Sequence, residues 1–193
     1  HRGIDLKREI SSHNPCKGTK MTKLEKARNF MITNAEAYYP KLDTPQIGKG
    51  TVNGRPFTTP LQFEIQLRAK DEATLQLWKD NHLPVKANKE GVETLTIRRR
   101  ALKKDGSDNG KPRVVGADKQ PMDAKTIGNG STVNVIVWQA PYGDNNESVF
   151  NSLTAVQVTD LVEYSGSSVD FDMLEEISPT VAGVKDEDLE AMF

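Results

Sequence analysis

The sequence predicts a mainly β fold, and three observations carry that expectation. The run Thr132–Trp138 alternates strictly, with Val133, Val135 and Val137 on one face and Thr132, Asn134, Ile136 and Trp138 on the other. Two further runs repeat the period. Leu61, Phe63, Ile65 and Leu67 oppose Gln62, Glu64, Gln66 and Arg68, and Leu95 and Ile97 oppose Thr96, Arg98 and Arg100. Strands do not alternate with helices and no internal repeat is present, which argues against a parallel nucleotide-binding sheet. Antiparallel strands with long loops and one short helix suit an OB-fold-like, five-stranded Greek-key barrel, with a sandwich as the alternative.

The elements follow in chain order. Residues 1–20 have no periodicity and precede a natural-looking start at Met21; they are read as a vector-derived or upstream extension, expected to be disordered, and are set aside. Residues 28–39 read as a first strand ended by Pro40, and residues 41–58, with Pro45, Gly48, Gly50, Gly54 and Pro56, as a loop or an interrupted strand. The Phe63 strand leads into a helix over 71–82 capped by Asp71, with Leu75 and Trp78 three apart on one face. Trp78 is expected to pack that helix onto the barrel. A strand over 92–102 precedes the glycine-rich basic loop KKDGSDNGKPR, a short strand Arg113–Val115 and a polar turn region. The turn Ile127–Gly130 releases the central strand, Pro141 stops it, residues 142–150 form a loop, and a last strand spans 151–164. Residues 21–164 are thus the expected domain, and 165–193 an acidic, disordered tail.

Charge sharpens that division. Residues 165–193 hold eight acids and one base, so residues 1–164 hold 25 bases and 19 acids. A basic body of this kind suits a polyanionic partner, and the tail suits an interaction element; a solubilising tail on an ordinary domain is the plainer alternative. No apolar run approaches membrane-spanning length, and the lone Cys16 excludes an internal disulfide and a cysteine zinc cluster. These features suit a soluble intracellular protein with no membrane role.

Catalytic constellations are missing. There is no Walker-type loop and no GxGxxG, and IGNGS lacks the lysine of a phosphate loop. Beyond residue 20 only His82 could serve a triad or a metal. Asp118 and Asp123 could share a cation, but acids in such a segment are more often turn formers. The expectation is a non-enzyme without metal or cofactor; a metal-dependent nuclease is the residual enzymatic reading.

A nucleic-acid binder fits better. Arg98, Arg100, Lys103, Lys104, Lys111 and Arg113 form a basic strand-loop-strand unit able to neutralise phosphates. Arg99 must face the opposite way and is read as a structural ion-pair residue. Aromatic residues stand at strand ends and loops, among them Tyr38, Phe57 and Phe150, with Tyr39, Trp138 and Tyr142 as the candidate stacking platforms. Each could equally fill core, and the arginines could be a solvated strand end. The tail ends with Asp186, Glu187, Asp188, Glu190 and Phe193, acids before a terminal aromatic, which suits a basic and apolar pocket on a partner or the protein's own groove. A protein-interaction or structural module whose groove binds a peptide is the competing class.

The order of these features resembles the single-stranded DNA-binding proteins of short-tailed, T-seven-type bacteriophages and their relatives. It rests on the tyrosine-bearing first strand, FEIQL before a capped helix, the basic strand and loop, VVGADKQPMD, IGNGSTVNVIVWQAPY, VQVTDLVEY and the acidic tail ending in phenylalanine. It covers residues 28–193 and is most specific over 113–142. The resemblance implies an OB-fold core binding single-stranded DNA without sequence preference or catalysis, in DNA replication, recombination and repair. It also implies a tail that contacts the phage DNA polymerase and primase-helicase and competes with DNA, strand annealing, a tendency to form homodimers, and the cytoplasm of the infected bacterial host. The chain departs from that pattern in a shorter helix and a less densely acidic tail containing Pro179 and Gly183.

Overall fold

The computed structural model describes residues 23–166. In chain order it contains β1 (Arg28–Val52), β2 (Arg55–Arg68), α1 (Glu72–Asp80), β3 (Val85–Ala87), β4 (Glu93–Arg100), β5 (Arg113–Val115), a 3-10 turn (Ala124–Thr126), β6 (Thr132–Tyr142) and β7 (Ser148–Asp160). The strands make one sheet in the order β3-β4-β2-β1-β6-β7-β5. All pairings are antiparallel except that of β5 with β7.

The fold is mainly β with one helix, as the periodicity predicts. β1 serves both halves: its first part pairs with β6 and its later part with β2, giving the OB-type order β4-β2-β1-β6-β7. Two details of the expected barrel are corrected. The sheet has seven strands, because β3 adds an edge strand of three residues, too short to show a period. The curled sheet is also not closed by pairing: β4 and β7 approach at Arg99, whose Nη1 donates to the Leu153 carbonyl at 3.5 Å, but no ladder joins them among the described residues.

Alternation decides what lies inside the curl. Val133, Val135 and Val137 are fully buried, together with Ile32, Phe63, Ile65, Leu67, Leu95, Ile97, Leu153, Val156 and Val158. Val162 lies beyond the end of β7 and is exposed, although the last strand is expected to reach residue 164. The helix closes one end of the core. The Asp71 side chain accepts the Thr74 amide at 2.7 Å as its N-cap, and Leu75 and Trp78 point inward. Trp78 is 1% exposed, so it packs the helix onto the sheet as expected.

The first strand does not end at Pro40. It runs on to Val52 and returns as β2, so of the loop and the interrupted strand that the sequence allows here the interrupted strand is the outcome, a long two-stranded arm with register shifts. Pro40 is tolerated because the pairing slips between Tyr38 and Lys41, so a missing N–H breaks no regular ladder there. Asn53 and Gly54, both at positive φ (49° and 74°), supply the tight turn that joins the two strands. Pro141 likewise does not stop β6; it pairs with Val149 inside a hairpin that continues to Tyr142 and Ser148.

Because Trp78 fills the space between helix and sheet, Trp78→Ala is expected to cost about 3–5 kcal/mol by leaving a cavity. Leu77→Ala, at a site 53% exposed on the same helix, should change stability by no more than about 0.5 kcal/mol. Denaturant unfolding of both variants checks this; similar losses would contradict the packing role.

Candidate nucleic-acid interface

The outer face of β6 is the complement of its buried valine row. Trp138 stands there 41% exposed, and its ring meets Phe150 of β7 edge-on, with centroids 6.2 Å apart and planes at 70°. An edge-on pair leaves ring faces available for a third ring. Beside it lies a cleft of about 590 Å³ lined by Trp138, Phe150, Asn29, Arg100, Lys103 and Lys104. A second cleft of about 280 Å³ shares Arg100 and Phe150 with the first and adds Arg98 and Tyr142. A third, of about 210 Å³, is floored by Met31, Ile136 and Ala155 and rimmed by Arg113 and Lys119. Met31 and Ile136 are two residues along their strands from Asn29 and Trp138, so the three clefts follow one another across one face of the sheet.

Alternation along β4 sorts the arginines. Arg98 and Arg100 are exposed on the groove side. Arg99 points inward, as its parity requires, but its partners are carbonyls and not an acid. Nε donates to the Gly110 carbonyl at 2.9 Å, Nη2 to that of Asn109 and Nη1 to that of Leu153. One guanidinium therefore holds the returning end of the basic loop against β4 and β7, which positions Lys103 and Lys104 at the cleft. The loop adds its own turn chemistry: the Asp105 carboxylate accepts the Ser107 amide, and that of Asp108 the Gly110 amide.

The acids decide which cations are available. Glu64 on β2 takes Lys41 at 2.9 Å and Arg98 at 3.2 Å. Burial alone would raise its carboxyl, but the hydrogen bond and charge of Lys41 with the charge of Arg98 outweigh that and hold it below the ordinary glutamate value. Asp43 takes Lys111 at 2.9 Å and Lys125 at 3.6 Å, and its carboxyl is lowered chiefly by the Lys111 hydrogen bond. Arg100, Lys103, Lys104, Arg113 and Lys119 form no ion pair among the described residues.

Of the residues singled out from sequence, Arg98, Arg100, Lys103, Lys104, Arg113, Trp138 and Tyr142 line this face. Lys111 stands outside it, tied to Asp43. Tyr39 is also elsewhere, in a separate cleft with Pro40, Lys41, Lys125, Asn129 and Tyr164. Asp186, Glu187, Asp188, Glu190 and Phe193 lie outside the described residues. Asp118 and Asp123 each cap a turn, accepting the amides of Gln120 and Lys125. Phe150, which the sequence does not single out as a stacking platform, also lines this face, as do Lys119 and Met31. The sequence suggests a loop at Phe150, and only its pairing opposite Ala140 sets it beside Trp138.

The glycine turn before β6 serves packing. A Cβ on Gly128 would lie 2.7 Å from the Val162 carbonyl, so the close approach of these two segments requires glycine. Buried Ser131 completes the junction, its Oγ accepting the Val162 amide at 3.0 Å.

No protein-family model matches the sequence, and no curated protein matches it. Among solved structures, the chain is similar to the single-stranded DNA-binding protein of bacteriophage Enc34. In its C-terminally truncated form the identity is 18%, the TM-score 0.43 and the coverage 74% of this chain and 94% of that one. In a second structure of that protein the values are 16%, 0.44, 76% and 89%. It is also similar to gp2.5, the single-stranded DNA-binding protein of bacteriophage T7, at 16% identity and TM-score 0.43, covering 82% of this chain and 100% of that one. The structural neighbours are phage single-stranded DNA-binding proteins.

Glu64→Gln tests the charge arrangement. A carboxyl lowered in the folded state stabilises above its unfolded value, near 4.5, and loses that contribution as pH falls through its lower folded value. The stability gap between the natural chain and the variant is therefore expected to be widest near neutral pH and to shrink below about 4.5. Thermal unfolding across pH 3–7 checks this; a gap that does not change with pH would contradict the pairing.

Proposed function

We propose that this chain binds single-stranded DNA without sequence preference, with the outer face of β6 and β7 as the contact surface. The observation that carries the reading is the edge-on Trp138–Phe150 pair set between Arg100, Lys103 and Lys104, which have no acidic partner among the described residues. Stacking on aromatic rings tolerates any base, and cations beside the rings neutralise the phosphates that connect them. Tyr142 and Arg98 extend the surface at one end, and Arg113 and Lys119 at the other. The groove acts by binding alone, with no bond made or broken.

The finer parts of the proposal rest on the sequence. Residues 21–164 are the binding domain and 165–193 an interaction tail. The chain serves phage DNA replication, recombination and repair in the cytoplasm of the infected host, with a capacity to form homodimers. Asp186, Glu187, Asp188, Glu190 and Phe193 recruit the phage DNA polymerase and primase-helicase, and the tail's charge competes with DNA for the cations of the groove.

Intrinsic fluorescence tests the binding without labels, because Trp78 is buried and Trp138 is exposed. Oligo-dT is expected to quench the signal of the natural chain but not that of Trp138→Ala, whose affinity should fall by about 1–3 kcal/mol. If about four phosphates are neutralised, raising salt from 50 to 200 mM should weaken binding roughly 50-fold. Affinity indifferent to salt would overturn the reading.

Removing Asp186–Phe193 supplies a separate check. Tighter DNA binding and loss of polymerase contact are expected, measured by the same titration and by pull-down. Weaker DNA binding after truncation would contradict competition by the tail.

A further inference from the structure

We propose that the cleft between Tyr39 and Tyr164 is a second stacking station for a single strand of DNA, at the far end of the track that begins at Trp138; this rests on the DNA-binding reading above. The outer face of β6 carries Trp138, Ile136, Asn134 and Thr132 in turn, and the turn before the strand places Asn129 after them. From Trp138 to Asn129 is no more than about 30 Å of extended chain. The three clefts of the groove cover the first part of this line and reach Asn134. Asn134 Oδ1 accepts the Asn34 amide at 2.9 Å, and Lys70 lies just beyond, its Nζ donating to Asn34 Oδ1 at 3.0 Å and to Thr132 Oγ1 at 2.9 Å. Lys70 pairs with no acid among the described residues. Next comes a fourth cleft of about 680 Å³, lined by Tyr39, Pro40, Lys125, Ile127, Asn129 and Tyr164.

The chemistry of this cleft selects the occupant. No acid lines it. Tyr39 and Tyr164, 60% and 64% exposed, are the most open of the large apolar side chains among the described residues. Rings so open do little for the core, and a base of any kind can stack on them. Lys125 brings charge for a phosphate: its side chain is 70% exposed, and its pairing with Asp43, at 3.6 Å, is the longest ion pair among the described residues. An exposed pair of that length is weak and yields to a better anion. Beside Tyr39, the Tyr38 ring lies 6.3 Å away and carries the Arg68 guanidinium 3.9 Å from its centroid, a further cation with no acidic partner among the described residues. A peptide could use the cleft alone. A nucleic acid accounts for the cleft, for Lys70 and for their alignment with Trp138.

Tyr39 is held where it is against its own backbone preference. Its φ of +48° is uncommon for a bulky residue, and such strain gathers at ligand sites. The turn before β6 fixes it: Asn129 Oδ1 accepts the Tyr39 amide at 2.7 Å, and the Ala37 carbonyl accepts that of Gly130 at 2.8 Å. Tyr39 is thereby placed relative to the same strand that presents Trp138.

Oligonucleotide length separates the two stations. Oligo-dT of about 5 and of about 16 nucleotides spans the range that one OB-type fold covers, and Trp138 fluorescence reports both. A variant carrying Tyr39→Ala and Tyr164→Ala is expected to bind the longer oligonucleotide at least about tenfold more weakly and the shorter one as the natural chain does. Tyr39→Phe with Tyr164→Phe keeps the rings and should bind both lengths as the natural chain does. Lys70→Ala and Lys125→Ala should each lower the salt slope by about one, for the longer oligonucleotide only. Unchanged affinity of the alanine variant for the longer oligonucleotide, or an equal loss for both lengths, overturns the inference. A natural chain that binds neither length overturns instead the DNA-binding reading on which it rests.

Discussion

The rest of this structure depends on the two-residue period of β6. One face of that strand is the centre of the core and the other is the floor of the groove, so burial and recognition are set by the same register. A slip of one residue would send Trp138 into the space of Val137 and expose the valine row. The register is held by polar pairing as well as by burial. Gln139, buried beside Trp138, accepts from Arg28 Nε at 2.9 Å and donates to the Asn81 carbonyl at 2.8 Å and to Asn151 Oδ1 at 2.9 Å. One amide therefore ties β6 to β1, to the end of α1 and to β7. Burying it is tolerable because its contacts satisfy it.

Arg99 makes a comparable link at the other side of the curl. An OB-type sheet that stops short of closure leaves strand ends and loop carbonyls to be satisfied, and a guanidinium with several donors in one plane can serve several at once. Here it reaches two carbonyls of the basic loop and one of β7. The seam and the loop that presents Lys103 and Lys104 are thereby joined through a single side chain. The inward arginine and the outward Arg98 and Arg100 divide the work by parity: one builds the wall of the groove and the others line it.

What could be read in the sequence was what local physics decides. The valine row, the Phe63–Leu67 face, the Asp71 cap and the inward Trp78 follow from period, capping and size, and the structure places each as its pattern requires. The continuation of β1 past Pro40 is ambiguous in the sequence because its prolines and glycines suit a loop as well as an interrupted strand, although Asn53-Gly54 is a strong hairpin signal. For the site, seven of the nine candidate groove residues share one face because alternation along β4 and β6 is a local property. The places of Tyr39, Lys111 and Phe150 depend on longer-range effects. Their positions are set by a bulge, by an ion pair to a residue 68 positions away and by cross-strand register, none of which has a local signature.

The electrostatics of the groove show why composition alone was an uncertain guide to a polyanion partner. A surplus of basic residues spread over a surface gives a weak, screened field. In this molecule the acids are placed so that the surplus is not spread. Glu64 and Asp43 between them engage Lys41, Arg98, Lys111 and Lys125. Arg100, Lys103, Lys104, Arg113 and Lys119 lie along one groove with no such partner among the described residues. Charges gathered along a concave, partly apolar wall reinforce one another and raise the local concentration of an anion far more than the same charges dispersed. The positions of two carboxylates thus do as much to define the candidate site as the cations themselves, and they do so from outside most of its length.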